Sequence, residues 1–283
     1  MIKKILIPTD FSANAVDVLD YAIHLTKGQK VHLYILHVVQ SIVVSAEVPV
    51  DKAGIVKLQL DEARIKMQAL KSFCNQSYGK KEDAEVRVTA DVQLGNVACQ
   101  IKSMAKNEKV DMVIMGTQGT NHGFADKLVG TISTSTLNNA PCPVILVPQG
   151  YEFKTIDNLI FATKLNHQDP YELWRAIELI KPHIAKVRCV YVTKESEEVN
   201  KIELDQFAKY MVENSSTVQT IFNVEESNNL EQTLSQYTEN YDAEMIIMRR
   251  SKKSFWKRLF TIRHTQKMVS WIHVPLMVLN NKR

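Results

Sequence analysis

Four apolar runs of strand length occur twice in this chain, in the same order, and that duplication restricts the fold more than any other feature. KKILIPTDFS at 3–12 has its counterpart in NLIFATK at 158–164. VHLYILHVV at 31–39 matches VRCVYVTKE at 187–195, and VDMVIMGTQG at 110–119 matches AEMIIMRRSK at 243–252. APCPVILVPQ at 140–149 matches IHVPLMVLNN at 272–281. A repeat with a period of roughly half the chain predicts two similar units joined in tandem. The spacing between matched blocks shrinks by about twenty residues along the chain. The second unit therefore lacks a counterpart of SIVVSAEVPVDKAGIVKLQL, residues 41–60.

Between the runs the pattern turns helical. Ser12 is placed to cap a helix whose buried face carries Ala15, Val18, Leu19, Ala22 and Ile23, with Gly28 as its stop. Residues 52–74 read as a longer helix with Leu60, Ala63, Met67 and Leu70 on one stripe, 85–92 as a strand, and 96–107 as a helix. Unbroken apolar strands alternating with helices imply a parallel sheet covered on both faces. The predicted fold is α/β: two tandem five-stranded, Rossmann-like parallel-sheet domains at 1–149 and 153–283, with Gln149–Thr155 as the linker.

A hydrophobic content of 45% is ample for two cores. The net charge of +4 is too small to argue for a nucleic-acid partner. Seven Lys or Arg fall between Arg249 and Arg263 without an acid, either a solvated basic face or an anion-binding surface. Cys74, Cys99, Cys142 and Cys189 match no metal or redox spacing, and Cys99 and Cys189 read as small packed hydrophobes. Met1-Ile2-Lys3-Lys4 runs directly into a strand, which reads as a start without a signal peptide, and no apolar run nears the ~20 residues of a membrane span. These features predict a cytoplasmic protein without membrane insertion.

In such a sheet, ligands bind beyond the carboxyl ends of the strands, where the strand order reverses. Pro8-Thr9-Asp10 and Met115-Gly116-Thr117-Gln118-Gly119 should meet there. Glycines let backbone amides approach an anion. Gly130-Thr131-Ile132-Ser133-Thr134 opens a helix whose N-terminus suits phosphate, with Thr131 and Ser133 as hydroxyl donors. Asp10 suits a ribose hydroxyl or a base edge. The pattern describes a site for a nucleotide's phosphates, sugar and base. The same glycines would equally make a tight strand-to-helix loop, and Asp10 a capping carboxylate beside Ser12. His37 reads as a hydrogen-bonding group at the sheet edge and His122 as exposed. There is no P-loop and no GxGxxG.

Taken together, Lys4-Ile5-Leu6-Ile7-Pro8-Thr9-Asp10-Phe11-Ser12, His37-Val38, Gly116-x2-Gly119 with Gly130-Thr131, and Pro143–Val147 resemble the universal stress protein family in its tandem form. The resemblance is strong over 1–148 and weak over 153–281. It implies an adenine nucleotide α-hydrolase-like fold and ATP held in the first unit. Pro8, Thr9, Asp10, Val38 and Met115 would lie near the base and ribose. Gly116, Gln118, Gly119, Gly130, Thr131, Ile132 and Ser133 would line the phosphates. Magnesium or manganese would be held by the phosphates themselves. Ten residues separate Gly119 from Gly130 where the family pattern has nine; either Gly123 absorbs the extra residue as a bulge or the loop shifts register.

In the second unit Lys164 or Thr163 replaces Asp10, Arg249 and Lys252 replace Gly116 and Gly119, and Thr261-Ile262 replaces Gly130-Thr131. Its nucleotide site is read as degenerate, a structural partner or an anion holder. The resemblance further implies pairing of Pro143–Val147 with Pro275–Leu279 into a pseudo-dimer within one chain, with homodimers of chains beyond it. The functional expectation is a stress-response sensor or regulator that binds ATP with slow or no hydrolysis, at most a slow ATPase. The alternative is an interaction protein with a relic glycine loop.

Overall fold

The structure, a computed structural model, describes residues 3–40, 52–78, 80–81, 84–117, 130–180, 184, 186–193, 201–215, 217–250 and 273–280. Gln118, Gly119, His122, Gly123, Lys252, Thr261, Ile262 and most of the basic stretch lie outside the described residues.

The first half runs β1 (Lys4–Pro8), α1 (Ala13–Leu25), β2 (Val31–Val39), α2 (Lys52–Tyr78), β3 (Lys80–Lys81), β4 (Ala84–Leu94), α3 (Val97–Asn107), β5 (Met112–Gly116), α4 (Thr131–Asn139) and β6 (Val144–Val147). The second runs β7 (Asn158–Thr163), α5 (Asp169–Ile180), β8 (Lys186–Thr193), α6 (Lys201–Asn214), β9 (Gln219–Glu226), α7 (Leu230–Asn240), β10 (Met245–Arg249) and β11 (Leu276–Leu279). All eleven strands form one sheet, ordered β3-β4-β2-β1-β5-β6-β11-β10-β7-β8-β9. Each half contributes five parallel strands, as the alternating pattern predicts. The two-residue β3, which pairs antiparallel with β4, is an addition that the sequence reading did not contain.

The halves meet through their last strands. β6 and β11 pair antiparallel, Leu276 opposite Leu146 and Val278 opposite Val144. One face of the sheet packs Ile5, Ile7 and Ile145 with Leu159, Phe161 and Met277 beneath α1, α2, α5 and α6. The other packs Leu6, Val144 and Leu146 with Ile160, Leu276 and Val278 against α3, α4 and α7. Burial on both faces explains why these strands show no polar alternation.

Several polar contacts cross the seam. Asn280 Nδ2 donates to the Cys142 carbonyl at 2.8 Å in a buried position. Arg250 donates to the Asn138 carbonyl at the end of α4, also at 2.8 Å. The linker is docked: Gly150 N donates to Asp17 at 3.1 Å, Tyr151 OH donates to the Glu244 carbonyl at 3.2 Å, and Phe153 packs edge-on against Tyr21. Burial pushes the Tyr151 phenol up to about 12. Asn280→Ala should lower the unfolding free energy by about 1 kcal/mol, the usual net worth of one hydrogen bond. Urea titration should show a single transition moved to a lower midpoint.

Some boundaries differ from expectation. α1 stops at Leu25, where the Thr26 hydroxyl bonds back to the Ala22 carbonyl at 2.8 Å; Gly28 makes the following turn at φ 78°. The shortening of the second half falls largely on a helix, since α2 has 27 residues and α6 has 14. Cys189 is buried as predicted, but Cys99 is exposed, because the inward stripe of α3 is carried by Ile101 and Ala105. Among the described residues no helix is long and apolar enough to cross a membrane.

Candidate functional site

Strand order reverses between β1 and β5: the chain moves outward from β1 through β2 to β4, then returns to β5 on the other side. A cavity of about 600 Å³ opens at the carboxyl ends of these strands. Its wall includes Pro8, Thr9, Asp10, Val38, Met115, Gly116, Gly130, Ile132 and Ser133, so two chain segments more than a hundred residues apart converge as the parallel topology requires.

The β1–α1 corner is built from local polar contacts. Ser12 caps α1, its hydroxyl accepting from Ala15 N at 3.3 Å. Asp10 Oδ1 in turn accepts from Ser12 N at 3.1 Å and from Ser12 Oγ at 2.5 Å. Asp10 therefore both braces the helix start and lines the cavity. Phe11 takes a left-handed conformation at φ 61°, rare for a bulky side chain. Its N–H donates to Thr9 Oγ1 at 3.1 Å. His37 Nδ1 lies 2.8 Å from the Thr9 carbonyl, and its ring stacks on Phe11 with centroids 4.5 Å apart.

On the opposite wall, Gly130 is the N-cap of α4, and its N–H donates to the Thr117 carbonyl at 2.7 Å. Thr131, Ile132 and Ser133 are the first residues of α4, whose amides lie outside the intrahelical ladder, so this end of α4 carries the partial positive charge of a helix N-terminus. The Ser133 hydroxyl donates to the Gly116 carbonyl at 3.0 Å. Its proton ties α4 to the end of β5. Thr131 is exposed and is not part of the cavity wall. Gly116 is required by close approach: a Cβ there would collide with the side-chain amide of Asn14. Gly116→Ala should cost about 1–2 kcal/mol through overpacking, measured by thermal melting. The double variant with Asn14→Ala should recover most of it.

Sequence reasoning missed the third wall. Gln59, Glu62, Ala63 and Lys66 of α2 face the cavity, with Asn14 and Phe11 of the corner and Val97 of α3. Their spacing of three, four and seven puts them on one helix face, the available signal. Lys66 is held by Glu62 at 2.6 Å. These α2 positions come from the long helix that α6 does not match in length. Among the described residues no group of three or more His, Cys, Asp or Glu could hold a metal ion.

The second half repeats the corner with different side chains. Leu165 has φ 56° and donates to Thr163 Oγ1 at 2.9 Å, so Lys164 stands where Asp10 stands. Thr117 N and Arg250 N make equivalent bonds to Val147 and Leu279, so Arg249 stands where Gly116 stands. The Arg249 guanidinium reaches Asp169 at 2.7 Å and Gln168 at 2.7 Å. Asp169 is buried and also accepts from Thr163 Oγ1 at 2.7 Å, Lys164 N at 3.1 Å and Asn166 N at 3.2 Å. An ion pair between β10 and α5 therefore stands where the first half has Gly116.

The sequence profile of the universal stress protein family matches residues 1–148. Universal stress protein YxiE of Bacillus subtilis is 32% identical over 154 residues, covering 52% of this chain and 99% of that protein. A universal stress protein of Methanocaldococcus jannaschii is 29% identical over 149 residues, covering 51% of this chain and 81% of that one. Among solved structures, a universal stress protein from Archaeoglobus fulgidus aligns with a TM-score of 0.65 at 14% identity, over 98% of this chain and 96% of that chain. At that identity the likeness concerns the fold, and it extends through both halves. The profile match over more than half of the residues and the aligned relatives agree with the fold: this chain belongs to the universal stress protein family.

Proposed function

We propose that the first half binds one adenine nucleotide, ATP in the leading reading, and that the protein serves as a sensor or regulator rather than as a catalyst with turnover. The observation that carries this is the cavity at the strand-order reversal, with the Asp10 carboxylate on one wall and the N-terminus of α4 on the other. A triphosphate is favoured at the amides of Thr131, Ile132 and Ser133. Asp10 is suited to accept from a ribose hydroxyl, and Val38 and Met115 offer apolar surface to a base. A divalent cation would be held by the phosphates and would neutralise their charge. The second half binds no nucleotide in this reading, because Arg249 and Asp169 fill the equivalent space.

The test uses the purified full chain. Denaturing extraction followed by mass spectrometry, with calorimetric titration of ATP and Mg²⁺, should give one nucleotide per chain. Two per chain would overturn the closed second half. An empty protein that ignores added nucleotide would leave the cavity to another role, with an interaction protein as the surviving reading.

A further inference from the structure

We infer that His37 is a positioning residue for Asp10, an inference that rests on reading the cavity as a nucleotide site. A carbonyl oxygen only accepts, so the 2.8 Å contact with the Thr9 carbonyl requires the proton on His37 Nδ1. That bond holds the peptide leading into Asp10. The other face of the same corner is Phe11, which stacks on the imidazole with ring planes 30° apart. Phe11 is in a left-handed conformation that a bulky side chain rarely takes and that needs surrounding contacts to persist. His37 thus restrains the residue on each side of Asp10. The Asp10 carboxylate itself is held through Oδ1 by Ser12. Its direction is set by a corner whose two flanks bear on one imidazole.

The second half supplies an internal comparison. It repeats the left-handed residue and the threonine bond at Leu165 and Thr163. Pro8 pairs with Leu36 and Ala162 with Val190, so Tyr191 takes the place of His37. There the corner is held by Asp169, which accepts from Lys164 N and Asn166 N. The half that has an acid at the corner has the imidazole, and the half that has a lysine there holds its corner by other means.

The experiment is ATP titration calorimetry on the full chain, with melting temperatures recorded in parallel. His37→Ala and His37→Gln should weaken ATP binding about tenfold, the scale of one lost hydrogen bond with its orienting effect. His37→Asn should stay within about twofold of wild type, because its side-chain amide nitrogen sits where Nδ1 sits and can donate to the same carbonyl. In an Asp10→Asn background, His37→Ala should cause little further loss, since residues acting as one unit are not additive. Wild-type affinity in His37→Ala, failure of asparagine to rescue, or a full additional loss on top of Asp10→Asn would each overturn the inference. If His37→Ala does not fold, the asparagine and glutamine variants decide. Wild-type protein that binds no nucleotide would overturn the site reading itself, a result distinct from binding that ignores His37.

Discussion

Arg249→Met should lower the unfolding free energy by about 3–5 kcal/mol, the usual consequence of removing one partner from a buried ion pair. The Asp169 side chain is 2% exposed and that of Arg249 is 18% exposed, with 2.7 Å between them. Methionine fills part of the volume but leaves the carboxylate without its counter-charge in a low-dielectric setting. Asp169 keeps its bonds from Thr163, Lys164 and Asn166, so the corner at the end of β7 should survive while α5 and β10 lose their tie. Adding Asp169→Asn to Arg249→Met should restore part of the loss, because a neutral amide is cheaper to bury. Guanidinium titration of the single and double variants measures both. Nucleotide stoichiometry should not rise, since Lys164 still occupies the acidic position. A single variant within about 0.5 kcal/mol of wild type, the range of ordinary surface changes, would show that the plug carries little stability.

Asp10→Asn should weaken ATP binding by about 100-fold while moving the melting temperature little. A hydrogen bond to a charged group is worth about 1.5–3 kcal/mol. Asparagine retains an oxygen that can accept from Ser12 N and Ser12 Oγ, so the start of α1 stays braced. It replaces the second carboxylate oxygen by an amide that cannot accept from a sugar hydroxyl. Asp10→Ala removes both functions and should lose stability as well as binding. Calorimetric titration beside thermal melting separates the two. Undiminished binding in Asp10→Asn would mean that this carboxylate serves only the helix cap.

Much of this was legible because the strands are buried on both faces. Runs such as ILI at 5–7, VIM at 113–115 and VILV at 144–147 announce themselves without alternation. The reversal of strand order follows from β-α-β connectivity, and so does the meeting of Asp10 with Gly116 and Gly130. The antiparallel seam came from the family resemblance, since nothing in the spacing of the strands specifies which edge pairs with which. Contacts set by tertiary packing were not legible. Arg249 was visible as a replacement for Gly116, but its partner Asp169 lies 80 residues away and no spacing rule joins them. Asn14 reads as an ordinary helical residue until its amide is found against Gly116. The Ser133 hydroxyl could be counted as a donor, but not the carbonyl that takes its proton. That Gln59, Glu62, Ala63 and Lys66 wall the cavity depended on where α2 lies over the sheet.

The β6–β11 seam also bears on what happens on dilution. Two separate polypeptides joined by so short a pair of strands would meet at a rate set by how much of each the cell contains. A freed first half could also pair with its own copy. Carried on one polypeptide with a docked linker, the two edges face each other at an effective concentration of about millimolar. The pairing of the two unlike halves is then independent of expression level, and each molecule keeps the same partner edge however scarce it becomes.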